Sequence, residues 1–292
     1  MNVLKTLKVD AYAKINLTLD ILGKRPDGYH DVSMVMQSIG LCDRIKFSEE
    51  PKGRGITLVT NVPGLPCGER NLAYRAAKLM MDTYNIEQGI HMNLTKRIPI
   101  AAGLAGGSSN AAAVIFAMNE MFNLELSLKE LCAIGEKIGS DIPFCLCRGT
   151  MLAEGRGEKL TRLPAMPECY VILANPPVKV STAWAYQNYQ KKDVNQYPKT
   201  AEILSCLTEK NLAGIGKLLC NVLESVTINR YKEIDLLKKL MLEHGAMASL
   251  MSGSGPTVFG LTEDQKTAEH IAEQLRKLTN ARIFVTKTVC GN

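Results

Sequence analysis

A run of small residues and hydroxyls near the middle of the chain, residues 99–113, has the composition best suited to chemistry. Its three glycines are followed at once by two serines: Gly103, Gly106, Gly107, Ser108 and Ser109. Helix N-termini bind phosphate through free backbone N–H groups and the positive end of the helix dipole. Glycines let the backbone approach the anion, and hydroxyls add hydrogen bonds to phosphate or magnesium. The segment therefore predicts a phosphate-binding loop with Ser-Ser-Asn capping a helix that runs to about residue 122.

The glycine spacing leaves other interpretations open. No GxxxxGK[ST] pattern occurs and no lysine follows the glycines, so this is not a Walker A loop. It is also not a GxGxxG fingerprint after a strand, so a dinucleotide fold is poorly supported. Three loosely spaced glycines alone fit a flexible turn before an ordinary capped helix equally well.

Two further segments carry polar residues in turn-like settings. Gly139–Phe144 (G-S-D-I-P-F) follows a predicted helix and leads into an apolar, strand-like run. Asp141 within it is a candidate general base, although an aspartate here can simply cap a turn. Met251–Phe259 (M-S-G-S-G-P-T-V-F) is a second glycine-serine turn feeding a strand.

The first half of the chain must position these residues mainly with strands followed by helices. Residues 7–22 alternate apolar and polar, which predicts one or two strands. Lys14 has the parity opposite to the apolar set, so it is expected to face solvent. Further predicted elements are strands over 43–60 broken by a turn at 53–55, a helix over 71–84, a strand over 89–96, and a helix over 127–138 with a Ser127/Glu130 capping box.

The second half changes character after Gly157, where prolines punctuate the chain. We place a domain boundary near residue 160, giving domains 1–160 and 161–292. The predicted elements of the second domain are strand 169–174, helices near 201–224 and 231–244, strand 257–261, helix 264–278 and strand 282–289. Runs of strands and helices in this order predict an α+β layer.

Composition narrows the class of protein. The 292 residues are 46% hydrophobic and 22% charged, as in globular proteins, and the formal charge of +6 suits anionic ligands. Lysines and arginines form no long blocks and no apolar stretch would span a bilayer, so neither nucleic acid nor a membrane is expected as a partner. The nine cysteines include no CxxC pair, which argues against a disulfide framework and a zinc site. A cytoplasmic protein with reduced thiols and no protein-bound metal is predicted.

Taken together, three segments resemble the three motifs of the GHMP kinases. They are the strand carrying Lys14, the stretch Pro99–Ala113, which is similar to P-x-x-x-G-L-[GA]-[GS]-S-[SA]-[AN]-A-A, and Ser252–Pro256. Their order and spacing span nearly the whole chain. The resemblance implies an α+β fold of two domains: an ATP-binding, ribosomal-protein-like domain over 1–160 and a ferredoxin-like, substrate-binding domain over 161–292.

Within this family, one branch fits more closely. Ala13–Leu17 (A-K-I-N-L), Arg25–His30 (R-P-D-G-Y-H) and Gly139–Phe144 resemble the branch that phosphorylates the 2-hydroxyl of 4-diphosphocytidyl-2-C-methyl-D-erythritol in the non-mevalonate isoprenoid pathway. One departure concerns the phosphate loop, where alanines stand at positions that are often glycine in relatives: Ala101, Ala102 and Ala105. Because alanine favours negative φ, these positions are expected not to need left-handed backbone.

The resemblance implies roles for individual residues. Asp141 is the expected general base, and Lys14 would hold it ionised. The expected ATP-binding residues are Pro99, Ile100, Ala101, Ala102, Gly103, Leu104, Ala105, Gly106, Gly107, Ser108, Ser109, Asn71 and Lys96. The expected substrate-binding residues are Asn16, Tyr29, His30, Thr182 and Tyr186, with Tyr29 stacking on the cytosine. ATP is the expected cosubstrate, with Mg²⁺ held largely by its phosphates.

Two rival functions remain at this point. Another GHMP kinase, such as homoserine or mevalonate kinase, shares the phosphate loop, but the R-P-D-G-Y-H stretch argues against it. A nucleotide-binding module that has lost catalysis is the second, and the presence of Lys14 and Asp141 argues against that. A monomer or weak homodimer acting on a small molecule is expected.

Overall fold

The computed structural model describes residues 5–291. Its strands are β1 (Thr6–Lys24), β2 (His30–Lys52), β3 (Ile56–Thr60), β4 (Gln88–Thr95), β5 (Thr150–Gly155), β6 (Lys159–Arg162), β7 (Tyr170–Asn175), β8 (Cys220–Asn221), β9 (Ala248–Met251), β10 (Val258–Thr262) and β11 (Arg282–Lys287). Its α-helices are α1 (Leu72–Tyr84), α2 (Gly106–Phe122), α3 (Leu128–Glu136), α4 (Ile142–Cys147), α5 (Thr182–Gln187), α6 (Thr200–Thr208), α7 (Leu212–Lys217), α8 (Glu224–Arg230), α9 (Lys232–Glu243) and α10 (Gln265–Leu278).

The chain divides into two compact units that are each discontinuous in sequence. The first unit holds Cys42–Ile100 and Ala105–Cys147 together with the chain up to Ala13. The second holds Lys14–Leu41, Ala101–Leu104 and the chain from Arg148 onwards. The sequence-based boundary near residue 160 falls inside this second unit. The assignment of ATP binding to 1–160 and substrate binding to 161–292 stays a prediction.

The first unit packs helices beside part of a mixed sheet. The second half of β2 pairs antiparallel with β4, from Arg44 opposite Thr95, and β3 pairs parallel with β4. Helix α1 packs against α2, and α2 packs against α3 and α4. The buried side of α1 carries mostly small residues, namely Ala73, Ala76, Ala77 and Met80. Small side chains at a helix contact allow the two helices to approach closely.

The second unit contains a four-stranded antiparallel sheet in the order β11-β7-β10-β9. Numbered along the chain, these strands have the order 4-1-3-2, with α10 between the last two and helices α5 to α9 between the first two. Helices α9 and α10 pack on the sheet. This arrangement confirms the predicted ferredoxin-like, α+β layer. In the larger, seven-stranded sheet, the same unit pairs β2 with β5, β5 with β6, and β1 with β8.

Most elements predicted from periodicity are present, and four sequence-based assignments are corrected. The run after Asp141 is helix α4 and not a strand, because six apolar residues carry no periodicity that separates the two. Helix α2 begins at Gly106, so Ser-Ser-Asn lies in its first turn and does not cap it. Residues 201–224 hold two separate helices, the short strand β8 and the start of α8. The sequence pattern missed β5, β6, β9 and α5.

Within residues 5–291, no helix is long and apolar enough to cross a membrane. All nine cysteines lie in this range and carry free thiols. Burial raises the pKa of Cys169 to about 12 and that of Cys220 to about 11, which suppresses thiolate formation at both.

Candidate active site

Strand β1 buries both of its faces where it carries the candidate catalytic lysine. Ala13, Ile15 and Leu17 occupy one face, and Lys14 and Asn16 occupy the other, all of them buried. Lys14 is 5% exposed, so the expectation of a solvent-facing lysine is wrong. Strand parity correctly separated the two faces, but parity does not reveal that both faces are covered.

The lysine ammonium is held by a neighbouring amide on its own face of the strand. Lys14 Nζ donates to Asn16 Oδ1 at 2.6 Å, and Asn16 Nδ2 in turn contacts Met34 Sδ at 3.3 Å. Asn16 is fully buried, with its amide oxygen and nitrogen both engaged. These contacts favour a role in orienting Lys14 over the direct substrate contact expected for Asn16.

The middle of the glycine loop and the second glycine-serine turn meet beside this lysine, within one unit. Ser252 Oγ donates to Gly103 O at 3.0 Å, and Lys14 N donates to Leu104 O at 3.2 Å. A Cβ at Gly253 would lie 3.5 Å from Lys14 Nζ and 3.4 Å from Asn16 Oδ1. The three segments that suggested a kinase from sequence thus converge, although they are more than 80 residues apart.

Gly103 is the tightest point of this arrangement. Its φ is +74°, and a Cβ there would lie 2.1 Å from Ser252 O. No L side chain fits that space, and the left-handed backbone disfavours one independently. The glycine is therefore required by the fold of the loop itself.

Asn221 is a supporting residue that sequence reasoning missed. It lies in β8, and its Nδ2 donates to Met251 O at 2.8 Å and to Gly253 O at 2.7 Å. Its Oδ1 accepts from Leu223 N at 3.0 Å, so the amide is fully used. A two-residue strand gives no periodic signal. The one available sign was an asparagine inside an otherwise apolar stretch.

The alanines of the loop behave differently from expectation. Ala101 has φ +53° and Ala105 has φ +55°, so the inference that alanine excludes left-handed backbone here is wrong. The conformation costs about 1–2 kcal/mol for a non-glycine residue, which a folded protein can absorb. Ala102 does keep negative φ, as expected, because it is absent from the positive-φ residues of the described chain.

The two serines of the loop have different surroundings. Ser109 is buried, and its Oγ donates to Tyr12 O at 2.7 Å, which fixes the first turn of α2 to β1. Ser108 is half-buried in the same turn and makes no side-chain hydrogen bond within residues 5–291. Ser108, and not Ser109, is therefore the hydroxyl available to a phosphate or a metal ion.

Asn71 and Lys96, expected on the adenine side, both have structural contacts. Asn71 caps α1: its Oδ1 accepts from Ala73 N at 2.9 Å, and its Nδ2 donates to Pro66 O at 2.7 Å. Lys96 Nζ donates to the carboxylate of Asp43 and, at 3.1 Å, to Asn110 Oδ1. Their contact with adenine stays a prediction.

Asp141 stands directly before α4 and is half-buried. The free N–H groups at a helix start favour a carboxylate in its ionised form. Asp141 belongs to the first unit and Lys14 to the second, so their pairing in catalysis stays a prediction.

The expected substrate residues form an aromatic group within the second unit. The rings of His30 and Tyr186 are 5.4 Å apart, and the Tyr29 ring, 58% exposed, lies 5.6 Å from the guanidinium carbon of Arg156. Thr182 Oγ1 and Ser254 Oγ are 2.9 Å apart, which links α5 to the second glycine-serine turn. Burial, together with the charge of Lys24, lowers the pKa of His30. A neutral imidazole beside exposed aromatic rings suits recognition of an uncharged base.

Comparison with known proteins agrees with this geometry. The profile of the GHMP kinases N terminal domain matches residues 71–149, and that of the GHMP kinases C terminal region matches residues 196–281. A 4-diphosphocytidyl-2-C-methyl-D-erythritol kinase from Lachnospira eligens is 47% identical over 98% of this chain and 99% of its own. One from Acetivibrio thermocellus is 46% identical over 98% and 100%.

The chain belongs to the 4-diphosphocytidyl-2-C-methyl-D-erythritol kinase family of the GHMP kinases.

Solved structures place the fold in the same family. A crystal structure of 4-(cytidine 5'-diphospho)-2C-methyl-D-erythritol kinase superimposes with a TM-score of 0.83 at 32% identity, covering 98% of this chain and 100% of the other. A homoserine kinase from Cytophaga hutchinsonii gives a TM-score of 0.77 at 23% identity, covering 98% and 95%, which shows a shared fold alone. Membership of this kinase family makes the chain a phosphotransferase with an alcohol acceptor.

Proposed function

We propose that this chain transfers the γ-phosphoryl group of ATP to the 2-hydroxyl of 4-diphosphocytidyl-2-C-methyl-D-erythritol, a step of the non-mevalonate isoprenoid pathway. The observation that carries the proposal is the near full-length identity of 47% to a kinase named for this substrate. The His30–Tyr186 aromatic pair adds support, since a cytosine needs a flat, partly apolar surface on which to stack.

In the proposed reaction, Asp141 accepts the proton of the acceptor hydroxyl as its oxygen attacks the γ-phosphorus. The new O–P bond forms while the bond from the γ-phosphorus to the β,γ-bridging oxygen breaks, and ADP leaves. Negative charge then spreads over the transferred group. Lys14 supplies a positive charge there: its ammonium forms no ion pair within residues 5–291, so an anionic reactant provides the counter-charge.

The phosphates of ATP are proposed to bind at the start of α2. The backbone N–H groups of Gly106, Gly107 and Ser108 lie in its first turn, where they have no partner within the helix. Both glycines keep the backbone accessible, and Gly107 is exposed.

Magnesium fits this site only as a partner of the phosphates. The described part of the chain holds no group of three or more His, Cys, Asp or Glu side chains that would bind a metal ion. Mg²⁺ keeps several waters and uses few protein ligands at nucleotide sites, so Ser108 and Asp141 are the residues proposed to approach it. When bound, the ion would neutralise charge on the phosphates.

A cytoplasmic monomer or weak homodimer is proposed for the setting of this activity. Nine free thiols fit a reducing compartment, where ATP is also abundant.

The deciding experiment is a coupled ADP-release assay with magnesium-ATP and 4-diphosphocytidyl-2-C-methyl-D-erythritol, run in parallel with homoserine, mevalonate and no acceptor. Turnover confined to the cytidylyl acceptor is expected, with a product phosphorylated on the 2-hydroxyl by phosphorus NMR. Turnover on homoserine or mevalonate would retain a GHMP kinase and reject the acceptor. ATP binding without turnover on any acceptor would support a binding module.

A further inference from the structure

A buried charge network lies at the entrance to the phosphate loop. It consists of Asp43 from β2, Lys96 after β4, and Asn110 in the first turn of α2, all in the first unit. The side chain of Asp43 is 0% exposed and that of Lys96 is 6% exposed. Buried charges of this kind must be paired and hydrogen-bonded, because leaving either one alone in the interior is costly.

One carboxylate oxygen of Asp43 fixes the backbone that enters the loop. Asp43 Oδ1 accepts from Arg97 N at 2.6 Å and from Ile98 N at 2.8 Å. These residues directly precede Pro99, the first residue of the predicted phosphate-binding segment. Two hydrogen bonds from consecutive N–H groups to one oxygen determine the direction in which the chain leaves β4.

The other oxygen fixes the backbone that leaves the loop. Asp43 Oδ2 accepts from Asn110 Nδ2 at 2.8 Å and from the Lys96 ammonium. Asn110 lies in α2 immediately after the two serines. A single buried carboxylate therefore joins both ends of the loop, at residues 97–98 and at residue 110.

Lys96 completes this arrangement from beneath the helix start. A Cβ at Gly106 would lie 3.2 Å from Lys96 Nζ and 2.9 Å from Ile98 Cγ2. The ammonium is thus in contact with the first residue of α2, and its three donors face Asp43 and Asn110. This use of the side chain explains its burial without any nucleotide contact.

We propose that Asp43 is the positioning residue of the ATP phosphate loop, with Lys96 as its buried counter-ion. Asp43 touches no reactant and acts through the backbone: it sets the separation and orientation of the loop ends, and so the aim of the N–H groups at the start of α2. Because displacements near 1 Å at a binding site can cost about 10²-fold, loss of this carboxylate weakens phosphate binding. The inference rests on the proposed use of this loop for ATP.

The test measures binding of a non-hydrolysable ATP analogue, adenylyl imidodiphosphate with Mg²⁺, by calorimetry on the full chain. For Asp43→Ala we expect Kd to rise at least about 10-fold and KM for ATP to rise in parallel, with KM for the acceptor unchanged. Analogue binding requires no acceptor. Failure of the acceptor assignment therefore appears as absent turnover with intact binding, and failure of this inference appears as unchanged binding in the variant.

Asn119→Ala is the matched control for stability. Asn119 is buried in the same helix, and its amide bonds Leu126 through N–H and C=O, far along α2 from the loop. This variant is expected to unfold at lower temperature but to bind the analogue like the wild type. An Asp43→Ala variant that matches it, with a lower unfolding temperature and unchanged Kd, would reduce Asp43 to a structural role.

A second variant guards against failure to fold. Asp43→Asn with Lys96→Met removes both buried charges and keeps an oxygen able to accept from Arg97 N and Ile98 N. We expect this pair to fold and to bind the analogue more tightly than Asp43→Asn alone, which leaves the Lys96 cation buried without its counter-charge. Wild-type affinity in Asp43→Asn alone would overturn the proposal.

Discussion

At the residue scale, the Lys14 ammonium is the clearest chemical feature of the molecule. It is buried on a central strand and bonded to the Asn16 amide, with Gly253 close by. A buried cation without a carboxylate partner is stabilised when an anion binds. This environment fits a group that waits for phosphate oxygens.

The role of Asp141 leads to a direct prediction. Asp141→Asn keeps size and hydrogen bonding but cannot accept a proton, so we expect kcat to fall about 10²- to 10⁴-fold while the affinity for the ATP analogue is retained. Steady-state kinetics and calorimetry test the two parts. Asp82→Asn, at an exposed surface ion pair with Lys78, is the control and should behave as wild type. Near-normal turnover in Asp141→Asn would remove this residue from the chemistry.

Gly103 gives a second prediction at this scale. Gly103→Ala places a Cβ 2.1 Å from Ser252 O at φ +74°, so the loop and the Ser252 turn must separate. We expect a loss of roughly 2–5 kcal/mol in the free energy of unfolding and little remaining activity. Urea denaturation and the coupled assay measure these effects.

Gly23→Ala serves as the control for Gly103→Ala. A Cβ at Gly23 meets nothing within 4 Å, and its φ is not positive. This variant is expected to keep the stability and activity of the wild type. Equal tolerance at both positions would contradict the contact between the two turns.

His30 predicts a pH dependence of acceptor binding. Its folded-state pKa lies below the ordinary value, first because of burial and then because of Lys24, so the ring is neutral at pH 7. A depressed histidine pKa means that the neutral form is stable above the ordinary value, and that protonation begins only as the pH falls below it. With ATP saturating, KM for the acceptor should therefore stay flat from pH 8 to about 6.5 and rise below that.

Replacing the ring tests this assignment. His30→Gln should raise KM at every pH and remove the acidic rise, because glutamine does not titrate. An acidic rise that persists in His30→Gln would assign the titration to another group.

At the element scale, the start of α2 decides how the loop is built. Its N-cap is Ala105 in the left-handed conformation, without a side-chain cap, whereas α3 begins with the predicted Ser127/Glu130 capping box. A capping box stabilises a helix start through local side-chain bonds. The α2 start lacks those bonds, which leaves its N–H groups free for a ligand.

The strained cap predicts opposite effects for two neighbouring alanines. Ala105→Gly relieves a positive φ, and we expect a gain of roughly 0.5 kcal/mol after the entropy cost of glycine. Ala102→Gly has no positive φ to relieve and loses a buried methyl group, so a loss of about 1 kcal/mol is expected. Denaturation midpoints measure both changes. A loss in both variants would show that Ala105 carries no strain.

At the scale of the whole molecule, segments far apart in sequence complete each compact unit. Residues 14–41 belong to the unit that also contains the chain from Arg148 onwards, and β1 pairs there with β8. A cut near residue 160 therefore separates segments that pack together. It also cuts β6, which begins at Lys159.

This discontinuity predicts the behaviour of fragments. Fragment 1–160 keeps the strand residues Ile15, Leu17 and Leu19 but loses β8 and the rest of its unit, so we expect no cooperative unfolding and exposure of apolar surface. Fragment 161–292 retains all four strands of the β11-β7-β10-β9 sheet and should be the better folded of the two. Circular dichroism during urea titration compares them. A cooperative transition in fragment 1–160 would support the boundary predicted from sequence.

The sequence by itself determined the features that depend on neighbours along the chain. Apolar spacing predicted β1, α1, β4, α9 and α10, a capping box predicted α3, and three short motifs predicted a GHMP kinase. These signals are local, because period-two and period-3.6 patterns and caps involve residues within one element. Family membership followed from motif order, and the fold class followed with it.

Only the tertiary structure decided how those residues are used. It buried Lys14 on a strand face whose pattern indicated solvent, placed Gly103 against Ser252, and joined Asp43 to Lys96 and Asn110. It also put alanine into left-handed backbone that local preference disfavours. The physical reason is that burial and hydrogen-bond partners arise from contacts across long sequence separations, and these contacts outweigh local preferences of about 1 kcal/mol per residue.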